Sequence, residues 1–149
     1  MSELGPQLSR IEPTALPLGV QWANWSQKDD TMAAWSQLTA QCRASFSVRF
    51  KSVALNARLP HEKFYMVKGS GGIGYAKVHT PNPGWRGCMF RDGDIWFVTH
   101  FAPKQGLNHA QEIAIAQSAK TEHLAKKKKQ EEKQHGKPKT TKRNRRRTR

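Results

Sequence analysis

The stretch WRGCMFRDGDIWFVTHFAPK, residues 85–104, constrains this chain more than any other. Two apolar runs flank Asp92-Gly93, the pattern that writes a β-hairpin. A type I′ turn centred on that pair would set Arg91 opposite Asp94, Met89 opposite Trp96 and Trp85 opposite His100. In that register Arg86 faces Thr99, on the side opposite His100, and one residue of slip changes the arrangement. Trp85, Trp96, Phe97 and Phe101 read as core side chains. Apolar groups on both faces of the hairpin ask for cover on both sides. Arg86, His100 and Lys104 lie in or just after these strands, beside the core.

Around the hairpin the period of the apolar residues changes twice. Residues 1–25 carry Pro6, Pro13 and Pro17 and read as an extended leader, with a short strand near Leu18–Trp22 where apolar side chains alternate. Ser26 followed by Asp29 suits a helix start. Met32, Trp35, Leu38 and Cys42 then recur at helical spacing. A second helix is predicted from about Ala44 to Ala57, with Phe46, Phe50, Val53, Ala54 and Ala57 on one face and Pro60 as its stop. Strand patterns follow at Lys63–Val67 and Ile73–Val78. The Gly69–Gly74 run between them reads as a hinge, because it lacks the Lys-Ser/Thr of a phosphate loop and precedes a strand. Asn108 with Gln111 suggests the cap of a final helix carrying Ile113, Ile115 and Leu124. The expected fold class is α+β: two N-terminal helices packed on a small antiparallel sheet of three or four strands, then a C-terminal helix and a basic tail. The expected organisation is a leader at 1–25, a domain at 26–125 and a basic, flexible tail at 126–149.

Charge narrows the partners. The chain has 26 Lys and Arg against 11 Asp and Glu, a net charge of +15. The last 24 residues hold 13 of the basic side chains and only two acids, Glu131 and Glu132. Such a segment attracts polyphosphate through release of condensed counterions, and it has almost no apolar face for a membrane surface. A merely solubilising tail stays open as the alternative. No apolar run is long enough to span a bilayer, and no signal-peptide pattern opens the chain. Cys42 and Cys88 form neither a metal-ligand spacing nor a disulfide framework, so a reduced, cytoplasmic setting is expected.

One ordered set of segments is familiar. Ile73-Gly-Tyr-Ala-Lys-Val78 comes first, then Trp85-Arg86-Gly-Cys-Met-Phe90, Asp92-Gly93, Ile95-Trp-Phe-Val-Thr-His100-Phe101, Lys104, and Glu112-Ile113-Ala114-x-Ala116. This order resembles the RelE/ParE toxin superfamily, especially its HigB-like, phage-derived branch. The likeness covers roughly residues 45–120, and the leader and long tail depart from it. It implies the toxin of a type II toxin–antitoxin pair. Such a toxin is a metal-independent endoribonuclease without cofactors that cuts mRNA, often on translating ribosomes, and inhibits translation. Its partners would be RNA, the ribosome and a cognate antitoxin, expected to carry a helix-turn-helix. The ParE branch instead poisons DNA gyrase. A non-catalytic nucleic-acid- or gyrase-binding protein, or a phage host-control factor, is therefore the alternative. A ribosomal or RNP assembly role rests on the tail alone.

The implied reaction needs a base for the 2′-hydroxyl proton, cations for the phosphate and an acid for the leaving 5′-oxygen. By the resemblance Arg86 and Lys77 hold phosphate, His100 moves protons and Lys104 faces RNA. His79 is a reserve base, and Tyr75 stacks on a base. Lys126, Lys127, Lys128, Lys129, Arg145, Arg146 and Arg147 add non-specific RNA affinity. The residues themselves leave other roles open: an ion-paired Arg86, a solvated Lys77 or His79, a packed His100, a core Tyr75. No metal site is expected. The Asp/Tyr/His cluster that some relatives carry near the chain end has no equivalent here.

Overall fold

The computed structural model describes residues 15–148, with side chains described for 15–132. The chain is α+β. It runs β1 (Val20–Trp22), α1 (Lys28–Gln37), α2 (Ala40–Ala54), β2 (Phe64–Met66), β3 (Ile73–Val78), β4 (Trp85–Asp92), β5 (Ile95–Pro103) and α3 (His109–Thr148). The sheet has five strands in the order β1-β5-β4-β3-β2, one more than the upper limit expected from the sequence. It is mixed rather than antiparallel, because β1 pairs parallel with β5 while every other pairing is antiparallel. The added strand is the short one expected near Leu18–Trp22, found at Val20–Trp22. Its place in the sheet was not expected, because its partner β5 lies at the far end of the domain. No helix among the described residues is long and apolar enough to cross a membrane.

Two cores follow from the pleat. On one face α1 and α2 pack Trp35, Phe46, Phe50 and Val53 against Val78, Met89, Trp96 and Val98. Trp35 is the hub, stacked on Phe101 at 5.4 Å and on Phe50 at 6.2 Å between ring centres. On the other face α3 lays Ala116 and Ala119 over Ile73, Tyr75, Cys88, Phe90 and Phe97. Small residues on α3 let its backbone come close to these large side chains.

Local signals set most element ends, and three ends differ from expectation. The first helix stops at Gln37, because Leu38 is extended and the Thr39 hydroxyl caps α2, accepting from the Cys42 N–H at 3.0 Å. The second helix ends at Ala54 rather than near 57, since Asn56 takes a φ of 60°, a left-handed turn that asparagine tolerates. Ser26 does not cap α1. Its N–H and hydroxyl both donate to the Glu122 carboxylate, at 2.9 and 3.2 Å, and so pin the β1–α1 link to α3. Asn108 does cap α3, its side-chain oxygen accepting from the Gln111 N–H at 3.1 Å.

The hairpin register is also corrected. Asp92 pairs with Ile95 and Arg91 with Trp96, so the two loop residues are Gly93 and Asp94. Gly93, at φ 66°, takes the first loop position, where a II′ turn needs glycine. A register shift between Cys88 and Met89 then makes Thr99 the extra residue of a β-bulge. Cys88 comes to oppose His100, and Arg86 opposes Ala102. Arg86 and His100 therefore share the α3 face instead of lying on opposite sides.

Truncating the aromatic cluster should show how far the fold depends on it. Phe46→Ala is expected to cost about 3–5 kcal/mol in urea unfolding; a loss below about 1 kcal/mol would mean that α2 is not packed as described.

Candidate functional site

The α3 face of β3, β4 and β5 brings four of the sequence-derived residues into one neighbourhood. Lys77 and Arg86 are direct cross-strand partners, and in the next row Tyr75, Cys88 and His100 lie side by side. Alternation along β3 and β4 guarantees the Lys77–Arg86 juxtaposition once the strands pair in this register. Lys104 follows β5, its backbone N–H donating to Gly84 O at 3.0 Å. Its charge reaches Lys77 as well.

This cluster is short of negative charge. Arg86 is only 7% exposed, and its guanidinium has one hydrogen bond, from Nη1 to the Trp85 carbonyl at 3.2 Å. Burial holds its pKa below the usual arginine range. Burial likewise lowers Lys77, and the neighbouring charge of Arg86 lowers it further, against a smaller upward pull from the Glu62 carboxylate. The Lys77 ammonium sits 5.5 Å from the centre of the Tyr65 ring. Among the described residues, none of Lys77, Arg86 and Lys104 forms an ion pair with a carboxylate. Like charges held together and partly dried are stable only if something anionic compensates them.

Beside the cations stands a carboxylate–imidazole pair. His100 Nε2 meets Glu112 Oε1 at 2.7 Å, and His100 Nδ1 meets the Thr99 hydroxyl at 2.9 Å. The side chains of His100 and Glu112 are 13% and 16% exposed. Desolvation lowers the His100 pKa and outweighs the upward pull of the Glu112 bond, so the ring is neutral near pH 7. Tyr75 stands on β3 in the same row as Cys88 and His100. Its hydroxyl is 3.3 Å from His109 Nδ1, and its pKa is pushed up to about 12, mainly by burial. Buried under α3, the Tyr75 ring has no face free for a nucleobase.

The remaining sequence candidates lie elsewhere. His79 is exposed, with Nε2 at 2.9 Å from the Glu62 carbonyl and no contact to the cluster. Lys126, Lys128 and Lys129 are exposed on α3, and Lys127 pairs with Asp92 at 2.8 Å. Arg145, Arg146 and Arg147 lie outside the residues whose side chains are described. Both cysteine thiols are buried and protonated, Cys42 being pushed up to about 11 by desolvation. Among the described residues no three His, Cys, Asp or Glu side chains converge as metal ligands do.

Sequence reasoning passed over Glu112, His109 and Thr99 as site residues. Glu112 is visible as the first residue of the closing helix motif. Its partner His100 lies twelve positions back across a turn, so the contact itself has no local signature.

The two buried histidines give a test. His100 and His123 are both depressed by desolvation from an ordinary value of 6.5, so the folded protein resists protons that the unfolded chain accepts. Their contribution to stability is complete above pH 6.5 and falls as pH drops below it, by at most about 1.4 kcal/mol per pH unit for each ring. The thermal midpoint should fall between pH 7 and 5.5, and less steeply in His100→Asn and His123→Asn; an unchanged slope in both variants would contradict the assignment.

Comparison with family models, with curated proteins and with solved structures returned no match for this chain.

Proposed function

We propose that the chain is a RelE/HigB-like toxin of a type II toxin–antitoxin pair, a metal-independent endoribonuclease that cuts mRNA on translating ribosomes in the cytoplasm. One observation carries the reading: Arg86, a residue only 7% exposed, has no carboxylate partner among the described residues and stands directly beside Lys77. Two partly desolvated cations side by side favour an anion, and a phosphodiester is one whose oxygens fit the forked donors of arginine. Arg86 and Lys77 would hold the non-bridging oxygens of the scissile phosphate. The His100–Glu112 pair would take the 2′-hydroxyl proton, and Lys104 with the lysines of α3 would hold the flanking strand. The cognate antitoxin, expected to carry a helix-turn-helix, would keep the cluster from RNA.

The same 7% exposure of Arg86 favours a second reading, a non-cleaving nucleic-acid- or gyrase-binding protein on this scaffold. Purified protein separates the two. Transcript cleavage on programmed ribosomes supports the nuclease, while gyrase-dependent DNA breaks, or binding without cleavage, support the alternative.

Arg86→Ala should lower cleavage by about 10²–10³-fold and abolish growth arrest while the protein remains folded. A folded Arg86→Ala variant that still cuts RNA removes Arg86 from the reaction. Lys126, Lys128 and Lys129 should each contribute to salt-sensitive binding. Every replacement by alanine is expected to flatten the slope of log affinity against log salt by about 0.7 unit per lost phosphate contact on a single strand; an unaltered slope in the triple variant would remove them from the RNA path.

A further inference from the structure

Within the His100–Glu112 pair the hydrogen bonds are not symmetrical. Both ring nitrogens of His100 are engaged inside the protein, Nδ1 by the Thr99 hydroxyl at 2.9 Å and Nε2 by Glu112 Oε1 at 2.7 Å. The Thr99 hydroxyl has one proton and two acceptors within reach, Nδ1 at 2.9 Å and the Cys88 carbonyl at 3.3 Å. A carboxylate oxygen only accepts, so the neutral ring carries its proton on Nε2, and the Thr99 proton goes to Nδ1. No nitrogen of His100 then remains to meet a substrate. Glu112 is different. Its Oε1 is occupied, but among the described contacts Oε2 has no hydrogen-bond partner, and the side chain reaches solvent.

The placement of the carboxylate strengthens the contrast. Glu112 stands in the first turn of α3, at the end of the helix where the backbone dipole favours an anion. It faces His100 on β5, and Cys88 on β4 and Tyr75 on β3 feel its charge. His109, on its own helix, meets the Tyr75 hydroxyl at 3.3 Å. Glu112 and Arg86 both act on that hydroxyl, the carboxylate raising its pKa and the guanidinium lowering it.

We propose that Glu112, through its free oxygen, is the group that exchanges a proton with the substrate, and that His100 is a positioning residue that aims it. The proposal rests on the nuclease reading given above. In that reaction the 2′-hydroxyl proton passes to Glu112 Oε2 as the 2′-oxygen bonds to phosphorus. The P–O5′ bond breaks, and the departing 5′-oxygen takes a proton from water. Glu112 then returns its proton to solvent. The products are a 2′,3′-cyclic phosphate and a 5′-hydroxyl, with no net change in protons. Throughout, the imidazole keeps its Nε2–H directed at Oε1, which fixes the rotamer of the carboxylate and leaves Oε2 pointing outward.

Single-turnover cleavage of an end-labelled single-stranded RNA oligonucleotide and of mRNA on programmed ribosomes, measured from pH 5 to 9 with the full chain, tests this. Glu112→Gln keeps an acceptor for His100 and should lose about 10²–10⁴-fold in rate, the range of a general base, with RNA affinity and thermal midpoint retained. In His100→Gln, which keeps an N–H donor for Oε1, cleavage should fall about tenfold or less, whereas His100→Ala, which keeps none, should fall further. Nitrogen NMR of the wild-type imidazoles should show His100 as the Nε2–H tautomer. Wild-type rates in folded Glu112→Gln, or a loss in His100→Gln as deep as in Glu112→Gln, overturns the assignment and leaves the nuclease reading standing. A wild type that cuts neither substrate overturns the nuclease reading, and the role of Glu112 with it.

Discussion

The single extra residue at Thr99 is the constraint on which the rest of the site depends. Without it, strict alternation along β5 would send His100 into the aromatic core and Phe101 to the α3 face. The bulge reverses both. Phe101 enters the cluster around Trp35, Phe46 and Phe50, and His100 turns toward Glu112. Thr99 itself is fully buried and tied on both sides. Its carbonyl accepts from the Thr31 hydroxyl at 2.7 Å, and its own hydroxyl lies between His100 Nδ1 and the Cys88 carbonyl. A helix on one face of the sheet thus holds the bulge that shapes the site on the other.

Burial on both faces gives the polar residues their character. A sheet with one wet face would let Lys77 and Arg86 extend into water, and neither would differ from an ordinary surface cation. Here α3 covers that face, and the same desolvation that lowers the pKa of both cations lowers that of His100 and raises that of Tyr75. Perturbed groups that lie side by side mark a binding or reaction site more strongly than any one of them does alone. The α3 helix is anchored repeatedly along its length, Gln117 and Lys120 also donating to the Ser70 and Gly71 carbonyls. Its cap at Asn108 and the Glu112 contact hold the start. Glu122 binds Ser26 while His123 accepts from the Asn24 N–H at 2.8 Å, and Lys127 reaches Asp92 beside the hairpin turn. The helix is therefore both the lid of one core and the carrier of the carboxylate.

Much of this was legible in the chain before it was folded. The helical spacing of Phe46, Phe50 and Val53, the strand at Ile73–Val78, the Asn108 cap and a hairpin turning near Gly93 all rest on neighbours within a few residues. The basic segment could be counted directly. Arg86, Lys77, His100 and Lys104 could be named as chemically interesting because each is a polar group in or beside an apolar strand. What local pattern could not supply was their mutual position. The hairpin register depended on which two residues fill the loop, and Asp92-Gly93 and Gly93-Asp94 are nearly equivalent on paper.

The sequence by itself determined the α+β class, the residues able to form helices and strands, and the identity of the cations, because propensity and periodicity are short-range properties. Only the tertiary structure decided that β1 would close the sheet in parallel with β5, that α3 would cover the second face, and that Glu112 would meet His100. Each of these joins segments separated by a turn or by most of the domain. Their free energy comes from excluding water between surfaces that meet only when the whole chain is folded.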